Sequence, residues 1–280
     1  MVLANRIAIV TGAGSGIGRA IAVKLCKEGA TVIVNDYSLE AAEETVAIIK
    51  NFYGRAIPYH GDVTDRKRIF SMAEDVANKF GSIDILVNNA GMVSSFLIED
   101  LPPEVWDKTI AINLTGSFNC TKAVIPYMIK QNYGKLLFIG SSAAHRTGGG
   151  GKGDYVASKH GVRGFMKEMA YELGRYNITS NMVCPGATMT EMFKSMVPED
   201  EIKKMNEGVP TGSICTPVDI AESVCFLVSD RAAQITGQSL DVVSGSMLSI
   251  GTGYVEHMKW HSDLSKKKLN EWNNKLKPIN

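Results

Sequence analysis

Residues 11–18 read TGAGSGIG, directly after the apolar run IAIV at 7–10 and directly before a helical stretch at 16–28. A glycine-rich turn between a strand and a helix lets backbone approach a pyrophosphate closely. The next helix then offers its free N–H groups and the positive end of its dipole. The spacing is not that of the common GxGxxG fingerprint, so the placement carries the argument rather than the glycines. The same turn without a ligand is the plainer alternative.

Working outward, short β-branched runs alternate with amphipathic stretches. The runs are IAIV at 7–10, TVIV at 31–34, DILV at 84–87, KLLFI at 135–139 and TSNMV at 179–183. Residues apolar at successive positions suit strands covered on both faces. Helices are expected at 16–28, 39–51, 65–80, 103–131 and 154–175. This alternation predicts an α/β fold, a doubly wound parallel sheet with helices on both faces.

The composition is that of an ordinary globular protein, with 45% hydrophobic and 21% charged residues among 280. Thirty Lys and Arg balance 29 Asp and Glu, so no global field recruits nucleic acid or an anionic membrane. Five cysteines, with no CxxC or Cys/His metal spacing, signal neither a disulfide framework nor a metal site. No signal peptide and no run of about 20 apolar residues is found, and a cytoplasmic location is expected. Residues 1–253 read as one catalytic domain. The Lys- and Asn-rich stretch 254–280, with Trp260, Leu264, Leu269, Trp272 and Leu276 as apolar anchors, reads as a C-terminal extension.

The second strand ends at Asp36, 18 residues after Gly18. A carboxylate there accepts from the adenosine ribose hydroxyls and repels a 2′-phosphate, which favours NAD over NADP. Asn35, Tyr37, Ser38 and Ser15 supply no cation for such a phosphate. Further on, YVASK at 155–159 puts Tyr155 and Lys159 on one helix face. A phenol of pKa about 10 holds its proton at neutral pH, and a nearby cation lowers an acid by about 1–3 units. A tyrosine tuned in this way takes a proton in alcohol oxidation and returns it in ketone reduction. KLLFIGSS places Ser142 just past a strand, 13 residues before Tyr155, where open α/β sheets bind ligands.

TGAGSGIG, NNAG at 88–91, Asn113 in INLTG, Ser142, YVASK and PGATMT at 185–190 together resemble the short-chain dehydrogenase/reductase family over residues 3–250. The resemblance implies a Rossmann-type sheet of about seven strands, a homotetramer or homodimer, and a tetrad of Asn113, Ser142, Tyr155 and Lys159. It implies that Lys159 also holds the nicotinamide ribose and that Asn113 kinks its helix for a water relay. The implied cofactor contacts are Gly12, Ser15, Gly16, Ile17, Gly18, Asp36, Asp62, Val63, Asn89, Ala90, Gly91, Tyr155, Lys159, Pro185, Gly186, Thr188 and Thr190, with no metal. VSGSM at 243–247 departs from the DGG common in relatives, and the long tail is a second departure.

Specificity is expected between Ser142 and Tyr155, where four consecutive glycines run from 148 to 151, and around Met189, Met192, Phe193, Met196 and Met205. Flexible methionines suit a lid over an apolar ligand, and equally a helix core. His145, Arg146 and Lys152 are candidates for an anionic substrate group. The implied reaction interconverts a secondary alcohol and a ketone, the substrate being a cyclic alcohol or a hydroxyacyl thioester. The alternatives are an NAD-binding regulator or scaffold without turnover, and an epimerase or dehydratase using transient oxidation.

Overall fold

The computed structural model describes residues 1–147 and 151–248, the side chain of Met196 excepted. The chain opens with β1 (Ile7–Thr11), whose residues are all buried. Alternate side chains serve opposite layers: Ala8 and Val10 pack in one core, Ile7 and Ile9 in the other. The remaining strands are β2 (Thr31–Asp36), β3 (Arg55–His60), β4 (Ile85–Asn88), β5 (Gly134–Ile139), β6 (Ile178–Pro185) and β7 (Ser239–Val242). They form one seven-stranded sheet in the order β3-β2-β1-β4-β5-β6-β7, every adjacent pair parallel.

Helices α1 (Gly16–Lys27), α2 (Leu39–Lys50) and α9 (Pro217–Val228) cover one face with Ile21, Leu25, Val46, Ile49, Ile220 and Val224. The other face is covered by α3 (Arg66–Phe80), α5 (Gly116–Gln131) and α6 (Gly153–Leu173) through Ile69, Met72, Val124, Met128, Val162 and Met166. Each such fully buried side chain contributes about 1.5–3 kcal/mol relative to exposure, which is why strand runs are apolar on both faces. α4 (Pro103–Ile110) continues through a single π-turn at Ala111–Thr115 into α5, while α7 (Glu191–Met196) and α8 (Glu199–Glu207) follow β6.

All five strands and five helical stretches expected from the periodicity are present, within a few residues of their expected ends. Two strands escaped that reading, and both are edges. β3 carries Pro58 and polar residues and is only partly buried, as an edge strand tolerates. β7 is four residues long with a half-exposed pattern. The strand order reverses between β1 and β4, and the C-terminal ends of those two strands open a crevice at this switch point. Gly148 to Gly150 of the glycine run and the expected extension 254–280 lie outside the described residues.

Candidate active site

At the crevice floor the glycine turn is held from two sides. Gly12 has φ +60°, and a Cβ there would stand 2.8 Å from Ala90 Cα, so only glycine lets the β1 and β4 ends approach this closely. A Cβ on Gly18 would run into the carbonyl of Gly12 at 2.1 Å. The Asn89 amide nitrogen donates to the carbonyls of Thr11 and Gly12, both at 2.9 Å. Backbone N–H groups of Asn89 and Ala90 donate to Thr11 Oγ1. The resemblance assigned Asn89 to the cofactor ribose; in the structure its amide hydrogens brace the glycine turn.

Ser15, exposed, precedes α1 and makes no side-chain cap, and a Cβ on Gly16 would lie 3.4 Å from Thr190. The α1 N-terminus, with Ile17 and Gly18 in its first turn, therefore faces the segment after β6. There Pro185 ends the strand, Gly186 packs on Val243, Thr188 is buried, and Thr190 caps α7 by accepting from Phe193 N–H at 3.1 Å. This glycine cradle, too tight for Cβ atoms and opened toward a helix N-terminus, fits a dinucleotide pyrophosphate.

Asp36 ends β2 beside the glycine turn. One carboxylate oxygen accepts from Gly14 N–H at 2.8 Å and the other from Ser38 N–H at 3.0 Å. Asp62 binds within its own turn, accepting from the Thr64 N–H and hydroxyl at 2.8 Å each. Val63 is buried against Gly116, and its carbonyl accepts from Asn119 at 3.0 Å.

The tyrosine helix α6 is anchored at both ends of its first turns. Asp154, fully buried, accepts from Ser94 and Thr109 hydroxyls, each at 2.6 Å. Burial pushes its carboxyl up, but these bonds and the Tyr155 N–H more than offset that and leave it below the usual carboxylate range. One turn later Ser158 Oγ donates to the Tyr155 carbonyl at 2.7 Å and accepts from Asn113 Nδ2 at 3.0 Å. Asn113 sits in the π-turn, 1% exposed, with its amide exchanging two bonds with the Met92 backbone at 2.8 and 2.9 Å. Its carbonyl accepts from Ser117 Oγ at 2.7 Å. The kink expected at Asn113 is thus a π-turn, a common feature of functional helices.

Lys159 Nζ donates to the Ile139 carbonyl at 2.7 Å and lies 5.6 Å from the Tyr155 ring centroid. It also lies 3.7 Å from where a Cβ on Gly91 would stand. Burial lowers the Lys159 ammonium to about 8, against a smaller opposing pull from Cys184. The phenol is raised: burial outweighs the hydrogen bond that the Ser141 hydroxyl supplies. The direction is the one burial gives, opposite to the tuning expected of Lys159 alone.

Two adjacent hydroxyls follow β5, which ends at Ile139. Ser141 caps the short 3-10 turn Ser142–Ala144 by accepting from Ala143 N–H at 3.1 Å, and Ser142, the residue expected at the substrate oxygen, opens that turn. Of the expected specificity residues, Met192 is 63% exposed, and the His145 ring nitrogen faces Cys184 and Asp241. Sequence spacing gave no sign of that last convergence.

Residues 6–201 match the model of the family described as short chain dehydrogenase. A 3-oxoacyl-[acyl-carrier-protein] reductase of Thermotoga maritima is 39% identical over 248 residues, 89% of this chain and all of the relative. The BbsD subunit of (2S)-[(R)-hydroxy(phenyl)methyl]succinyl-CoA dehydrogenase from Thauera aromatica is 37% identical over 251 residues, 90% of this chain and all of the relative. Among solved structures, a 7α-hydroxysteroid dehydrogenase complexed with NADH and 7-oxo glycochenodeoxycholic acid superposes with a TM-score of 0.83 at 34% identity, over 87% of this chain and 94% of that one. With its parallel Rossmann-type sheet, its glycine cradle and its tyrosine–lysine helix, the chain belongs to the short-chain dehydrogenase/reductase family of oxidoreductases, which act on CH–OH groups with a nicotinamide cofactor.

Proposed function

We propose that this protein is an NAD(H)-dependent oxidoreductase that interconverts a secondary alcohol and a ketone, with Tyr155 as the proton-transferring group. The observation that carries the reading is the Lys159 ammonium held beside the Tyr155 ring at the C-terminal end of β5, where the Ser141–Ser142 pair follows. In this reading the tetrad is Asn113, Ser142, Tyr155 and Lys159. Gly12, Ser15, Gly16, Ile17 and Gly18 hold the pyrophosphate together with Thr188 and Thr190. Asp36, Asp62 and Val63 flank the adenosine, and Ala90, Gly91, Pro185 and Gly186 line the remainder.

When bound, the nicotinamide supplies or accepts the hydride. The chain's own residues handle position and proton. Ser142 donates to the substrate oxygen, and Tyr155 delivers its proton to that oxygen or removes one from it. A raised phenol is fully protonated at neutral pH, which suits it as the acid of ketone reduction. The Lys159 ammonium lowers the cost of the phenolate left behind, about 1.4 kcal/mol for each unit of pKa. NAD is favoured because both Asp36 oxygens are fixed by backbone N–H groups, so the carboxylate cannot swing away from a 2′-phosphate.

The substrate proposed is a hydroxyacyl thioester or a cyclic secondary alcohol, classes that the relatives' names and the bound steroid of the solved structure support. Phe96, Leu97, Ile98, Trp106 and Phe118, exposed near α4 and α5, suit a homotetramer or homodimer. No helix among the described residues is long and apolar enough to cross a membrane. The five cysteines are free and buried, which suits a reducing compartment, and the cytoplasm is the proposed location. The test is a panel of 3-oxoacyl thioesters and cyclic ketones with NADH, followed by absorbance. Absence of turnover across the panel with NADH bound would favour the non-catalytic alternative.

A further inference from the structure

Behind the catalytic helix, three metal-binding side chains from three separate segments converge. His145 follows the 3-10 turn after β5, Cys184 lies near the end of β6, and Asp241 lies in β7 as the register partner of Cys184. One ring nitrogen, His145 Nε2, stands 3.3 Å from Cys184 Sγ and 3.1 Å from an Asp241 carboxylate oxygen. All three donor atoms lie within 4.8 Å of one another.

A protonated Nε2 donates to Asp241 at 3.1 Å and leaves Cys184 Sγ, a weak acceptor, at 3.3 Å. A divalent cation engages all three donor atoms at once. Ligand distances of about 2.0–2.1 Å for nitrogen, about 2.0–2.2 Å for oxygen and about 2.3 Å for sulfur set tetrahedral edges of roughly 3.3–3.6 Å. The two measured edges are within a few tenths of an ångström of that. Asp241, with a side chain 35% exposed, has room to close the third.

We propose that His145, Cys184 and Asp241 form a zinc(II) site with a fourth position open to water. The mixed nitrogen, sulfur and oxygen set suits zinc rather than calcium or magnesium, which take oxygen ligands. Binding replaces the Sγ–H bond by an Sγ–Zn bond and releases the thiol proton to solvent. Thiolate and carboxylate together cancel the charge of the ion, so no net charge is left beside Lys159. Burial, helped by Asp241, holds the Cys184 thiol up to about 12, so without a cation the proton stays on sulfur. Mechanically the ion ties the short edge strand β7 to β6 and to the segment that carries Ser141.

The test is titration of the full-length, reduced protein with cobalt(II), a spectroscopic stand-in for zinc. One equivalent per chain is expected, with a thiolate-to-cobalt charge-transfer band that zinc abolishes by displacement. Cys184→Ser is expected to remove the band. His145→Asn and Asp241→Asn are expected to weaken binding by more than the roughly 10- to 100-fold that loss of an outer-shell partner costs. Zinc is also expected to raise the Tm of the unaltered protein and not that of Cys184→Ser. No charge-transfer band in the unaltered protein at saturating cobalt would overturn the proposal. So would cobalt binding, with its charge-transfer band, that survives Cys184→Ser. Circular dichroism of each variant separates loss of the site from loss of the fold, and the band of the unaltered protein tests the proposal without any variant.

Discussion

The Lys159 ammonium nitrogen donates to the Ile139 carbonyl at 2.7 Å, pinning the catalytic helix to the last residue of the central strand β5. This bond holds the charge 5.6 Å from the centroid of the Tyr155 ring. The ammonium is lowered to about 8 by burial. Its cationic form is therefore present below pH about 8 and lost above it. Ketone reduction by the proposed enzyme is expected to show kcat/KM falling on the alkaline side with a midpoint near this value. Lys159→Arg, whose guanidinium stays charged, should move that limb to higher pH. The same shift has a stability side: between about 8 and the usual 10.5 the unfolded chain binds a proton that the folded one has shed, so this group's contribution rises with pH across that window. A pH profile of initial rates for the two proteins checks the assignment; superimposable profiles would contradict it.

Tyr155→Phe removes one hydroxyl and keeps the ring. Loss of a positioned general acid–base group typically costs about 10²- to 10⁴-fold. The expected outcome is a fall of at least that size in kcat with NADH binding preserved, read by nucleotide fluorescence. Retained turnover would refute the proton role.

Ser141→Ala and Ser142→Ala discriminate between two adjacent hydroxyls. With Ser142 proposed as the donor to the substrate oxygen, its loss should lower kcat by about 10²-fold or more, the scale of a lost oxyanion donor. Ser141→Ala should change kcat less. The reverse ranking would put Ser141 in the tetrad in place of Ser142.

Asp36→Ala removes the carboxylate clamped by Gly14 and Ser38. KM for NADH should rise and KM for NADPH should fall, because the repulsion of the 2′-phosphate is gone. An unchanged ratio of kcat/KM for the two cofactors would mean that Asp36 is not the discriminator.

Asp154→Ala strips two buried donors of their acceptor. Hydrogen bonds to a charged group are worth about 1.5–3 kcal/mol each, so urea unfolding should show a loss of a few kcal/mol. Its carboxyl is lowered in the folded state, so this contribution is present above the ordinary carboxylate pKa of 3.8 and fades as pH falls through the lower folded value. A midpoint within experimental error of the unaltered protein would show that Ser94 and Thr109 find other partners.

Much of this was legible before any coordinates. The doubly wound sheet follows from runs such as TVIV at 31–34, apolar at every position because both faces are covered. The edge strands β3 and β7 were not legible, since half-exposed strands carry polar residues and, in β3, a proline. Tyr155, Lys159 and Asp36 were found by local spacing: each lies a fixed number of residues from a glycine turn or within one helical turn. Between the adjacent hydroxyls Ser141 and Ser142, spacing along the chain does not say which one the loop turns inward.

Sequence by itself determined the alternation of five buried strands with five helical stretches, the glycine turn and the i to i+4 tyrosine–lysine pair, all of which rest on short-range periodicity and backbone sterics. Only the tertiary structure decided which atoms meet across segments. Asn89 braces Gly12, Lys159 is held by Ile139, and His145 meets Cys184 across 39 residues of chain. The physical reason is that a parallel sheet gathers the C-terminal ends of strands that are distant in sequence. Their contacts depend on register and strand order, which no local pattern encodes.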